Sequence, residues 1–285
     1  MSNVLIKQPR QVVDNSHIKL SYVTHYYLDQ KRPDTVLDLL ARYQRYAPEL
    51  LDRIQFVVVD DCSPLRFDVP DLNLNLKWLR IEDDIPWNQP GARNLGVVYA
   101  ASDKVLLTDI DHEFPEATLS KMVRMRECGR DFFKIYRTCP TTGRLRKGHS
   151  NIFLLSRARF MRLYGYDEEF SGHYGSDDYR FVKFQKYHGS RQRYLPKKYR
   201  CSPRGDIDWE ASYHSLERDL GPNTPVDARK EHEIKQYGGD AGHSRMFLRF
   251  RWEVLIDRTR DVQIQRKRNR LWQKIWYWRW LMGER

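Results

Sequence analysis

Two aspartates one residue apart, Asp109 and Asp111, close the short apolar run Val105–Leu107. In an extended backbone, residues i and i+2 fall on the same side, so the pair reads as two carboxylates presented together at a strand end. Oxygen ligands of this kind suit hard divalent cations. One or two carboxylates hold Mg2+ or Mn2+ while diphosphate oxygens and water complete the shell. A second acidic pair, Asp177-Asp178, follows the glycine-bearing stretch Gly172–Ser176 and opens the helical stretch Tyr179–Tyr187. Carboxylates at that position meet the positive end of the helix dipole and stay ionised, which suits a general base poised over a hydroxyl. An isolated Asp-x-Asp is equally a solvated acidic turn, and an isolated Asp-Asp is equally a helix cap. The elements that position the two pairs decide between these readings.

Ile18–Thr24 alternates as a strand and stops at the loop His25-Tyr26-Tyr27. Pro33 sits where a helix can begin, and Val36, Leu37, Leu39, Leu40 and Tyr43 carry its apolar stripe. Ile54–Val59 is almost wholly apolar, as expected of a strand covered on both faces, and ends in Asp60-Asp61-Cys62-Ser63. Leu76–Ile81 makes a third strand ending in Glu82-Asp83-Asp84, and Gly91–Ala101 reads as a helix. Val105–Leu107 is the fourth strand, with further strands at Phe132–Tyr136 and Ile152–Leu155. Strands alternating with helices predict an α/β fold with a mainly parallel, doubly wound sheet. Such sheets bind ligands beyond the carboxyl ends of their strands, which is where the acidic clusters lie.

Val59-Asp60-Asp61-x-Ser63, then Gly91-Ala92-Arg93-Asn94-x-Gly96, then Leu107-Thr108-Asp109-x-Asp111 resembles, in this order, the nucleotide-binding half of GT-A glycosyltransferases, above all the family 2 type. Gly165-Tyr166-Asp167-Glu168, followed by the glycine turn and Asp177-Asp178, resembles their acceptor-side motif, usually Gly-Phe-Asp-Glu and then Glu-Asp, with Asp177 in the Glu position. The resemblance covers roughly residues 18 to 185. It implies a GT-A (Rossmann-like) sheet with helices on both faces and a nucleoside-diphosphate sugar donor, with UDP the expected nucleotide. It also implies inverting transfer to a hydroxyl of a glycan or glycolipid. By the same resemblance Thr24, Asp60 or Asp61, Asp84, Arg93 and Asp109 approach the donor. Asp111 and Asp109 hold Mn2+ or Mg2+, and Asp178, with Asp177 beside it, takes the acceptor proton. A downstream histidine, His243 or His214, would be a late metal ligand. The sequence departs from the family at Thr24-His25-Tyr26, where Pro-Thr-Tyr-Asn is usual.

Composition supports a folded domain. The 285 residues are 40% hydrophobic, with 17 Tyr, 12 Phe and 8 Trp, which is enough for a sizeable core despite 31% charged residues. Four scattered cysteines form no C-x-x-C pair, which excludes a zinc ribbon or disulfide scaffold and fits a reducing, cytoplasmic setting. No run of eighteen apolar residues is present to span a bilayer. The net charge of +12 is uneven: residues 245–285 hold 12 Lys or Arg against 4 Asp or Glu. The chain therefore divides into a catalytic domain, 1–243, and a basic, Trp-rich helical tail, 244–285. The donor half of the domain covers about 18–115 and the acceptor half about 130–243. In the tail, Arg266–Arg270 precedes Trp272, Trp276 and Trp280, a pattern suited to the inner face of an anionic membrane or to docking on protein. Residues 196–243, rich in Gly and Pro, read as a loop-rich cover with helical stretches at Trp209–Leu220 and Val226–Tyr237. Trp209 and Trp252 are either core residues or sugar platforms. A sugar nucleotidyltransferase would share the sheet, but no Gly-rich, Lys/Arg-bearing loop follows the first strand. A non-catalytic membrane- or nucleic-acid-binding protein would not place carboxylates at successive strand ends without a cation, so nucleic acid is not expected as a partner.

Overall fold

Strands β1 (Leu20–Tyr26) and β2 (Ile54–Asp60) are buried almost end to end, as befits strands packed on both faces. The computed structural model describes residues 14–29, 34–139, 141–207 and 215–262, and sets these strands near the centre of an eight-stranded sheet. β1 pairs in parallel with β2 and with β4 (Lys104–Leu107), and β2 pairs in parallel with β3 (Asn75–Ile81). The other strands in chain order are β5 (His112–Glu113), β6 (Asp131–Lys134), β7 (Tyr136–Thr138), β8 (Leu145–Arg146), β9 (Phe153–Ser156), β10 (Arg191–Tyr194), β11 (Arg200–Pro203) and β12 (Trp252–Arg258). The large sheet runs β10-β6-β9-β4-β1-β2-β3-β12, with β9 antiparallel to its neighbours and β12 antiparallel to β3. A small sheet, β5-β11-β7-β8, stands beside it.

The helices are α1 (Asp34–Tyr43), α2 (Pro48–Leu51), α3 (Gln89–Val98), α4 (Glu116–Arg124), α5 (Arg157–Arg162), α6 (Asp177–Tyr187) and α7 (Thr224–Tyr237). Strand alternation sends Tyr22, Phe56 and Val58 to one face, where they pack with Leu39, Leu40 and Tyr43 of α1 and Leu119 and Met122 of α4. Val23, Val57, Val59 and Leu107 face the other way, onto Ala92 and Leu95 of α3, Phe160 of α5 and Phe181 of α6. Helices thus cover both faces of a mainly parallel sheet, the GT-A-type architecture the resemblance implied. Gly96 shows how closely α3 approaches it: a Cβ there would stand 2.4 Å from Val23 Cγ1.

The structure corrects the sequence reading at several points. Asp109–Asp111 is not extended: Ile110 and Asp111 form a turn, and the His112 amide donates to the Asp109 carbonyl at 3.4 Å. The alternation of an extended strand therefore does not set the two carboxylates. The division at 243/244 falls inside a packed unit, since Ser244 bonds Asp167, the amides of Leu248 and Arg249 bond Glu168, Phe250 is buried, and β12 extends the sheet. Residues 215–220 are coil, not helix. Trp252 is neither core nor near the acidic pairs: it is 36% exposed on β12 and donates its Nε1 to Tyr99 Oη. Trp209, His214 and the Trp-rich stretch 266–285 lie outside the described residues. Among the described residues no helix is long and apolar enough to cross a membrane.

Candidate active site

Arg93 projects from the first turns of α3 and is 1% exposed. Its Nη2 donates to Asp109 Oδ1 at 2.6 Å; its Nη1 donates to Tyr166 Oη at 2.7 Å and to Asp178 Oδ1 at 3.2 Å. Tyr166 Oη donates in turn to Asp178 Oδ1 at 3.0 Å. One guanidinium therefore ties the acidic turn after β4 to the acidic start of α6. The next residue, Asn94, fixes the segment that carries Tyr166: its Nδ2 donates to Tyr166 O and Glu168 Oε1, and its Oδ1 accepts from the Tyr166 amide. The Arg-Asn dipeptide at a helix start thus has a mechanical task for each side chain.

Two cavities share a wall. The first, about 240 Å³, touches Asp61, Asp109 and Asp111; the second, about 350 Å³, touches Asp177 and Asp178. Trp87, Gln89, His149, Asn151 and Tyr174 line both. Gln89 Nε2 donates to Asp177 Oδ2 at 2.8 Å, and His149 Nδ1 stands 4.0 Å from Asp109 Oδ2. Leu216 and Arg218 reach over the first cavity and Leu220 over the second, which agrees with the expected loop-rich cover. Cys62, Trp87 and Ser176, all at or beside these cavities, have positive φ (57°, 51° and 69°), a conformation that costs non-glycine residues energy and clusters at functional sites. Gly175, at φ 93°, lets the chain reach Ser176 and enter α6 with both aspartates in its first turn.

Burial and neighbouring charge set the ionisation of these groups. Burial, helped by the Asp178 charge, pushes Asp177 up to about 7; Asp178 is also raised by burial, against the opposing pull of Arg93. Burial alone would raise Asp109, but the Arg93 charge leads the opposing influences and holds Asp109 below the usual carboxylate range. Burial takes Asp61 up to about 8. His25 falls to about 4 through burial and Arg93, so its ring is neutral, and its buried Nδ1 has no partner among the described residues. Lys134, brought down to about 8 by burial, spans from β6 to the carbonyls of His149 and Ser150.

Of the residues expected at a donor site, Asp61, Asp109 and Asp111 reach the first cavity, with Arg93 behind them. Asp84 is exposed close to Asp61 and Tyr27. Asp60 turns the other way: Arg80 and the Ser63 amide hold its carboxylate, and it borders a separate cavity of about 530 Å³. Thr24 is buried in β1 and lines neither cavity of the pair; the unusual His25-Tyr26-Tyr27 that follows does line the first. His243 is placed elsewhere. It packs on Tyr164 and Phe184 beside Asp167, so it is not brought to Asp111. Gln89, His149 and Tyr166 had no assigned role in the sequence. Tyr166 carried a signal, since Tyr in place of the usual Phe adds the hydroxyl that meets Asp178.

The donor chemistry suits a hard cation only as a shared site. Asp111 has one oxygen on His112 Nδ1 and, among the described residues, no partner on the other, while Asp109 has one oxygen on Arg93. Among the described residues no three His, Cys, Asp or Glu side chains gather as a metal centre. A cation held here would have to draw its remaining ligands from a bound anion and water.

No protein-family model and no curated protein sequence matches the chain. Similar solved structures include S. aureus TarS 1–349, at 18% identity and a TM-score of 0.49, over 65% of this chain and 60% of that one. The same protein in complex with UDP-GlcNAc gives 16% identity and a TM-score of 0.48, over 70% and 62%. The mannosyltransferase PcManGT from Pyrobaculum calidifontis, in complex with GDP-Man and Mn2+, gives 18% and 0.45, over 83% and 76%. The chain thus spans about three fifths of the TarS structure's length.

Proposed function

We propose that the protein is a metal-dependent, inverting glycosyltransferase that moves a sugar from a nucleoside-diphosphate donor, UDP-linked by expectation, to a hydroxyl of a glycan or glycolipid acceptor. The observation that carries this is the Arg93 bridge between Asp109 and Asp178 across two cavities with a common wall. That arrangement supports donor diphosphate in the first cavity and acceptor hydroxyl in the second, with the reacting carbon between them. Asp111, with Asp109, would hold Mn2+ or Mg2+, which when bound neutralises the leaving diphosphate. Asp61 and the neutral His25 face the donor, and Arg93 fixes Asp109 and Asp178 relative to each other.

In the transfer step Asp178 accepts the proton of the acceptor hydroxyl as its oxygen bonds to the anomeric carbon. The bond from that carbon to the diphosphate oxygen breaks, and its electron pair leaves on the diphosphate. Tyr166 and Arg93 orient the Asp178 carboxylate, and Gln89 holds Asp177 beside it. Attack from the side opposite the leaving group gives inversion, as the resemblance implies. The test is a panel of nucleotide sugars assayed for hydrolysis and transfer with Mn2+. Asp111→Asn is expected to lose nearly all turnover while keeping the fold. If that variant turns over like the wild type in the presence of a strong chelator, the metal role is wrong.

A further inference from the structure

Away from the tail, the positive charge of this chain is concentrated in two segments that contain no acidic residue. Residues 132–151 carry five Lys or Arg, and residues 189–205 carry six. The fold lays the two segments side by side: β10 pairs with β6, β11 pairs with β7, and Tyr136 packs on Tyr194 at 4.7 Å. The β7–β8 hairpin holds Arg137 directly opposite Arg146. Like charges in that relation repel and weaken a two-stranded ribbon, so the pairing is one that an anion between or across them would relieve. Arg191 and Arg193 pair with Asp131 and Arg204 with Asp206, but Arg144, Arg146, Lys147, Lys198 and Arg200 are exposed, and none of them, nor Arg137, forms an ion pair among the described residues. The strip leads into the second cavity, because His149, Ser150 and Asn151, which line it, directly follow the hairpin.

On this geometry we propose that the acceptor is an anionic glycan chain, bearing acidic groups along its length. Its charged run lies on the hairpin strip, and an uncharged hydroxyl enters the second cavity. This deepens the transferase reading and rests on it. Asp177 and Asp178 repel an anion at the reacting end, so the acceptor's charge has to sit beyond the cavity, where the strip is. A membrane surface fits less well: among the strip's described residues only Leu145 and Tyr194 are exposed large hydrophobic side chains, too little to anchor in lipid.

The test compares full-length wild type with Arg144→Gln/Arg146→Gln/Lys147→Gln, which keeps the basic tail and so isolates the strip. Binding is measured to fluorescent dextran sulfate, to neutral dextran of the same length, and to duplex DNA of matched charge. Wild type is expected to bind dextran sulfate and not neutral dextran. The triple variant should bind it roughly ten- to a hundredfold more weakly, the product of three modest surface terms. Lys198→Gln/Arg200→Gln on the neighbouring strand should weaken it in the same direction, and circular dichroism checks that both variants fold. Metal-supported hydrolysis of the donor should be unchanged in both, since none of the substituted residues lines the first cavity. Equal binding of the two dextrans, or an unchanged affinity in both variants, overturns the strip; preference for DNA overturns the choice of partner. Absence of any nucleotide-sugar turnover in wild type instead refutes the transferase reading on which the acceptor assignment rests.

Discussion

Replacing Arg93 by Met removes the charge while keeping a buried apolar stem, and it leaves Asp109 and Asp178 facing each other through a gap. Both are little exposed, at 14% and 17% of their side chains, so water replaces the lost partner poorly. Breaking a buried ion pair by removing one member costs about 3–5 kcal/mol, because the surviving charge is left uncompensated. Here two charges survive, one at each end of the lost bridge, so a loss near the upper end is expected at pH 7. Arg93 lowers the pKa of both carboxylates. Without it each binds its proton at higher pH than in wild type, and the penalty should shrink as pH falls toward about 5 and neutral acids replace carboxylates. Urea unfolding at pH 7 and pH 5, read by circular dichroism, measures both quantities. A double-mutant cycle with Asp178→Asn adds a third: Arg93→Met should cost about 1–3 kcal/mol less in that background, as expected of directly coupled neighbours. A loss below about 1 kcal/mol at pH 7, or no change between the two pH values, refutes the view that this guanidinium is the electrostatic centre of the site.

Asp178→Asn should keep donor affinity and lower the rate by several orders of magnitude, with Asp177→Asn milder; steady-state kinetics and nucleotide titration check this, and a near-normal Asp178→Asn rate moves the base to Asp177 or removes it. Asp61→Asn should stabilise the protein. The folded pKa of Asp61, about 8, lies above the ordinary carboxylate value of 3.8, so the native state holds its proton longer than the unfolded chain and loses stability as pH rises between the two. The gain should be absent near pH 3 and largest at pH 8 and above, while nucleotide affinity falls; a melting temperature that is unchanged at pH 8 refutes it. Deleting residues 266–285 should release the protein from anionic vesicles in a salt-sensitive way and leave transfer to a soluble acceptor intact; equal co-sedimentation with and without them, or unfolding of the shortened chain, makes the segment a structural contact.

The sheet was legible because buried strands write themselves as apolar runs: Ile54–Val59 lies within β2 and Val105–Leu107 within β4, with ends off by a residue. Helix α6 begins two residues earlier than its apolar pattern suggested, since Asp177 and Asp178 are its first turn and not its cap. The edge strand β12 was hidden. It lies at the sheet margin with Trp252, Val254 and Leu255 exposed, so no buried alternation marks it, and its basic neighbours made it look like tail. At the site, the acidic residues were legible as residue types at strand ends. Their partners were not, because Arg93 to Asp178 and Asn94 to Glu168 join positions more than seventy residues apart. Which of Asp60 and Asp61 faces the first cavity also depended on tertiary structure, through Arg80.

The direction of β12 bears on how the molecule could be held in place. It runs from Trp252 beside Ile81 to Arg258 beside Leu76, and Arg260 is then fastened to Asn75 and Asp52. The chain therefore leaves the sheet at the amino ends of the parallel strands, whereas the two cavities open at their carboxyl ends. Seven strand residues span about 23 Å, so Arg260 lies at the pole opposite the site. A protein tethered there would stand with its cavities turned outward, toward an acceptor approaching from the surrounding solution and not from the surface that holds it.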